Sequence, residues 1–103
     1  MKHVILSADG PSCVYAVPDM VADNLEACCM EFCTDWLKNA PEAAKYRVMR
    51  SGGVVYCYDE RAFIEYLNLM FPDERSVLVE DLGWTAFEEN LPEKYKHFPY
   101  FNF

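Results

Sequence analysis

A chain of 103 residues with 52% hydrophobic and 16% aromatic side chains holds enough apolar area for one core, which excludes a disordered chain. Seventeen Asp and Glu against nine Lys and Arg give a net charge of −8. That balance argues against nucleic acid as a direct ligand, because contacts to phosphates need a basic patch.

One domain spanning residues 1–103 is expected at this length. Residues 3–8 read as a first strand, and the turn chemistry of Asp9, Gly10, Pro11 and Ser12 leads into a second over Cys13–Val17, together a hairpin. The apolar opening gives way to Ser7, Asp9 and Gly10 too soon for a signal-peptide core. No apolar run approaches the roughly 20 residues that span a bilayer, so a cytoplasmic protein without membrane partners is expected.

Pro18 and Asp19 suit the first turn of a helix. From there Val21, Leu25, Cys28, Cys29, Phe32 and Trp36 fall within one arc of about 100° on a helical projection, which predicts a single helix burying that face. Pro41 ends it by disfavouring the α conformation of the residue before it. Residues 46–50 and 54–58, joined by Ser51, Gly52 and Gly53, read as a second hairpin. Asp59 is placed to cap a second helix, whose buried stripe is Phe63, Ile64, Leu67, Met70 and Phe71, and Pro72 stops it. Ser76–Val79 is a short strand candidate. From residue 84 to 103 the pattern fades into an irregular segment rich in rings: Phe87, Tyr95, Phe98, Tyr100, Phe101 and Phe103. The order β-β-α-β-β-α-β predicts an α+β fold, with an antiparallel sheet built from two hairpins plus a short strand and two helices packed on one face.

Several stretches carry a resemblance: Val17 to Asp19, Phe32 to Leu37 with its Cys33 and Trp36, Phe63 to Asn68 followed by Phe71 and Pro72, Leu82 to Trp84, and Pro99 to Phe103. They resemble a family of small uncharacterised proteins of gut Firmicutes, often found near mobile elements. The resemblance implies an accessory or anti-defence role. It brings no catalytic or binding residue, since the family has no established activity.

Five cysteines, at positions 13, 28, 29, 33 and 57, are an odd count without an export signal, which suits a reducing compartment. Cys29 and Cys33 are one helical turn apart, and with Cys13, Cys57, His3 or His97 they offer zinc-ligand chemistry. No Cys-x-x-Cys occurs, however, and buried free cysteines are usually packing groups, so neither metal nor cofactor is expected. Two histidines, near opposite ends of the chain, give no motif for a thiol–imidazole pair. The turn at Ser51 to Gly53 lacks the Lys and helix of a phosphate loop.

The charge is unevenly placed. Residues 59–93 hold ten carboxylates against Arg61 and Arg75, a balance of −8, while the seven acids and seven bases elsewhere cancel. A concentrated acidic field complements a basic protein surface, and exposed aromatics make interface anchors. Asp73, Glu74, Glu80, Asp81, Trp84, Phe87, Glu88 and Glu89 are therefore the expected partner-binding residues. The reading is an acidic protein-binding module, in its sharpest form a nucleic-acid-mimicking inhibitor of a defence nuclease such as a CRISPR effector. A self-associating accessory protein, with the ring-rich segment forming a homodimer, is the alternative. A small enzyme with an unrecognised site is a further one.

Overall fold

The computed structural model describes residues 1–84 and 91–103. Strand β1 (Lys2–Ser7) pairs antiparallel with β2 (Pro11–Val17), with Val4 opposite Tyr15, Ile5 opposite Val14 and Leu6 opposite Cys13. Val4, Ile5, Leu6 and Val14 are all fully buried. A run buried on alternate sides in this way belongs to a strand covered on both faces. Asp9, rather than the adjacent Gly10, takes the positive φ of the turn (54°), a conformation that Asp tolerates because its short side chain bonds locally.

One continuous helix is not what forms between Asp19 and Asn39. Helix α1 (Asp19–Asp23) stops at Asn24, and α2 (Leu25–Glu31) restarts beyond it. Asn24 has φ −134° and ψ 39°, and its side-chain amide donates to the Met20 carbonyl at 2.9 Å. A local side-chain donor of this kind competes with the backbone ladder. A π-helical turn follows over Phe32–Trp36, closed by the Leu37 amide donating to the Phe32 carbonyl, before α3 (Leu37–Asn39). The inserted residue lets both Trp36 and Leu37 be buried beside Phe32. Despite the interruptions, Val21, Leu25, Cys29, Phe32 and Trp36 are buried as the periodicity predicts, and Cys28 is half-buried. Ala40 leaves in an extended conformation before Pro41, as the pre-proline restriction requires. The Arg47 guanidinium donates to the Leu37 carbonyl at 2.8 Å, placing a cation on a free helix-end carbonyl.

The second hairpin forms, as β3 (Arg47–Arg50) and β4 (Gly53–Tyr56), but it is a separate two-stranded sheet, which corrects its expected place in the main sheet. Its Met49, Val54 and Val55 are exposed, so no apolar face demands a third strand. Helix α4 (Glu60–Met70) starts at Asp59, whose carboxylate accepts from the Arg61 amide. Phe63, Tyr66 and Leu67 from α4 join Val21, Leu25, Cys29 and Phe32 against Val4, Leu6, Cys13, Tyr15 and Val17 in the main core.

Strand β5 is longer than residues 76–79 suggest: it runs Val77–Trp84 and pairs antiparallel with β2. Two register shifts interrupt the ladder. The segment from 84 onward is not wholly irregular either. β6 (Tyr100–Asn102) pairs parallel with β1, giving the four-stranded order β5-β2-β1-β6. Leu91 and Tyr95 pack on Ile5 and Val14 in a second, smaller core. Helix residues thus share the main core with Val4, Leu6, Cys13, Tyr15 and Val17, while Ile5 and Val14 belong to the smaller one. Among the described residues no helix is long and apolar enough to cross a membrane.

Candidate functional site

The expected partner-binding residues are only partly brought together. Asp73 and Glu74 lie in the turn after α4, exposed and without an ion pair among the described residues. Glu80 and Asp81 are neighbours on β5 but serve different surroundings. Glu80 accepts a hydrogen bond from the Tyr95 hydroxyl on the side of the smaller core. Asp81 stands opposite Cys13, on the helix side, and accepts from the Gly83 amide at 2.8 Å. Trp84, at the end of β5 opposite Pro11, is 77% exposed. Phe87, Glu88 and Glu89 lie outside the described residues.

β5 is an edge strand, and Val77, Leu78, Val79, Glu80 and Asp81 are all exposed. Such an edge presents unpaired backbone donors and acceptors to a partner strand, and charged side chains or bulges commonly limit unwanted pairing there. Here the register shifts and the two adjacent carboxylates provide both limits.

Beside this edge the fold forms a cleft of about 430 Å³ that the sequence does not reveal. Cys13 and Tyr15 of β2, Leu78 and Asp81 of β5, and Asp59 and Glu60 at the start of α4 line it. From sequence Asp59 is a helix cap and one of the carboxylates of the acidic segment, and nothing in local spacing announces a cleft shared with β2 and β5. Arg61 holds Asp59 through contacts of 2.7 Å and 3.1 Å and keeps its carboxyl below the usual range. Glu60 is pushed the other way, chiefly by burial, with the Asp59 and Asp81 charges adding to it. Burial also raises the Cys13 thiol to about 11, with Asp81 the next cause, and raises the Tyr15 hydroxyl. The cleft therefore disfavours additional negative charge.

Three carboxylates line this cleft, yet among the described residues no three His, Cys, Asp or Glu side chains converge tightly enough to hold a metal ion. All five cysteines are free. Cys13 and Cys29 are buried and Cys57 is exposed, with Cys33 beside the Tyr58 hydroxyl at 3.6 Å. His3 meets the edge of the Phe98 ring, centroids 5.8 Å apart, rather than a thiol.

Thiol reactivity should follow this burial. At pH 8 an alkylating reagent should label Cys57 first. Cys13, whose thiol burial raises, should lag, and Cys29 should label last because burial raises its thiol further. Time-resolved peptide mass spectrometry reads the order directly, and prompt labelling of Cys29 would contradict this packing.

Comparison of the chain with family models, with curated proteins and with solved structures returns no match.

Proposed function

We propose that this chain is an acidic protein-binding module that occupies a basic surface on another protein. In the sharpest form of the reading it is a nucleic-acid mimic that inhibits a defence nuclease. The observation that carries it is the surface around β5. Asp73, Glu74 and Asp81 lie on or beside an exposed edge strand that ends in the exposed Trp84. An acidic excess along this edge would steer a basic partner into contact, and Trp84 at the end of the strand would anchor it. Glu80 is less suited to this role because it is engaged by Tyr95.

The test is a triple reversal, Asp73→Lys, Glu74→Lys and Asp81→Lys, with Glu80 left in place to keep its Tyr95 contact. Exposed carboxylates singly contribute less than about 1 kcal/mol, so single reversals should be nearly silent. Together they should abolish capture of the partner recovered with the unaltered chain from its native cell, while the melting midpoint stays close to that of the parent. The mimicry reading further expects duplex DNA to compete for that partner, and association to slow steeply as salt rises. Intact affinity and salt dependence in the triple variant would make the acidic surface mere solvation.

A second reading has one observation in its favour. Asp59 is held low and Glu60 high within one cleft, and such divergence is how acid and base roles are set. The Cys13 thiol, raised rather than lowered, is a poor nucleophile, so catalysis there would have to rest on the carboxyls alone.

A further inference from the structure

Two parts of the described surface carry exposed apolar side chains side by side. The β3–β4 hairpin is held at its base, where Arg47 reaches the Leu37 carbonyl and Tyr56 packs against the main core. At its tip Met49 and Val54 stand directly opposite one another and so share a face as near neighbours. They are 73% and 48% exposed. On the edge strand β5, Val77, Leu78 and Val79 are consecutive and all exposed. Successive strand residues point to opposite faces, so both faces of the strand are open to solvent there. A run of three exposed apolar residues serves no purpose in an isolated fold.

The two patches differ in charge. Residues 38–58 hold Lys38, Lys45, Arg47 and Arg50 against Glu42, a balance of +3. Residues 73–84 hold Asp73, Glu74, Glu80 and Asp81 against Arg75, a balance of −3. Arg50 at the hairpin tip and Asp81 on β5 are both exposed, and neither has an ion pair among the described residues. The hairpin and β5 belong to different sheets, and no hydrogen bond or ion pair joins them among the described residues. Within one chain the patches therefore stay apart.

Two copies could meet through these patches in three ways, and charge separates the three. Hairpin on hairpin gathers the Lys45, Arg47 and Arg50 cations, and β5 on β5 gathers the carboxylates, so both set like charges against each other. The hairpin on β5 instead joins apolar side chains inside a rim of opposite charge, as interfaces with an apolar centre do. We propose that the chain associates with itself head to tail, the tip of one hairpin docking through Met49, Arg50 and Val54 on Val77, Leu78 and Asp81 of the next copy. The ring-rich end of the chain is not the contact, because Tyr95 and Phe103 are already packed within the molecule. The docking uses the β5 surface of the binding reading, but rests on the exposure and charge of that surface and not on any partner. A basic partner competes with the hairpin for β5.

Sedimentation equilibrium of the full chain at low ionic strength should show a mean mass that rises with concentration. A dissociation constant on the order of 100 µM is expected for so small a contact. At about 1 M salt, where charges are screened beyond about 3 Å, association should weaken severalfold. Met49→Thr with Arg50→Gln removes the hairpin side, and Leu78→Thr with Asp81→Asn removes the β5 side, and neither pair of changes introduces a charge. Each variant should be monomeric where the parent associates, with thermal melts confirming its fold. Mixed in equal amounts the two should form pairs and nothing larger, because one keeps an intact β5 and the other an intact hairpin. A parent that stays monomeric up to about 1 mM, a variant that still associates, or a mixture that remains monomeric would each overturn head-to-tail docking. The hairpin variant also separates this inference from the binding reading. It leaves Asp73, Glu74, Asp81 and Trp84 in place, so it should still capture the native partner. A parent that is monomeric yet captures the partner overturns self-association alone, and a parent that associates yet captures none overturns only the binding reading.

Discussion

Phe32→Ala should destabilise the protein by about 3–5 kcal/mol, the range for removing a fully buried ring. Phe32 is 0% exposed and is the hub of the aromatic core. Its ring stacks on Trp36 with centroids 5.6 Å apart, and meets Phe63 at 5.5 Å and Phe103 at 5.7 Å edge-on. Tyr58 and Tyr66 approach it at 5.6 Å each. These partners come from four separate stretches of chain, so the cavity left by alanine cannot be closed by moving one of them. Ring pairs of this geometry add about 0.5–1.5 kcal/mol beyond area burial. Against a typical stability of roughly 5–15 kcal/mol, the loss should lower the melting midpoint by at least about 10 °C. Phe32→Leu, which fills most of the space, should cost clearly less. A thermal melt that places the alanine variant level with the parent would show that the ring is not central.

Deleting residues 100–103 should be comparably severe, although they are few and lie at an edge. The Phe103 amide donates to the Ser7 carbonyl at 2.8 Å, and Tyr100, Phe101 and Asn102 stand in register with Ile5, Leu6 and Ser7. Asn102 accepts from the Asp9 amide at 2.9 Å and donates back to its carboxylate at 3.0 Å, which holds the β1–β2 turn. Phe103 contributes its ring to Phe32, Tyr58 and Phe63. Losing a half-buried ring, several backbone hydrogen bonds and the clamp on Asp9 should cost at least about 3 kcal/mol together. Hydrogen exchange is the sensitive measure: the amides of Ile5 and Ser7, on the β6 side of β1, should lose protection first. Unchanged protection along β1 would show that β6 is an ornament of the sheet and not part of it.

Sequence reasoning reached the elements whose signals are local. The first hairpin follows from turn residues between β-branched runs, and α4 from its cap at Asp59 and the stripe through Phe63 and Leu67. The buried arc from Val21 to Trp36 was legible because burial follows helical spacing even where the ladder is broken. The breaks were not, since Asn24 and the π turn depend on hydrogen bonds that a hydrophobic pattern does not encode. β6 was missed for a different reason. Three residues of Tyr, Phe and Asn have no alternation to recognise, and their partner strand lies at the far end of the chain. The candidate site shares that difficulty. Asp73, Glu74 and Trp84 are proposed from charge and ring content, which need no pairing. Cys13, Tyr15 and Glu60 meet only after β5 has joined β2 and α4 has docked, and no spacing between them is informative on its own.

The clamp between Asp9 and Asn102 joins positions 93 apart in sequence, and this orders events during synthesis. The β1–β2 hairpin can form as soon as it leaves the ribosome, but its turn and one edge stay open until almost the whole chain has followed. Closing so long a loop costs entropy that only the final contacts return. At about 5–20 residues per second, the nascent hairpin waits several seconds with an unpaired apolar strand exposed. A chain stalled before Tyr100 would thus keep the free edge of β1 available to other strands, where the completed protein covers it with the short β6.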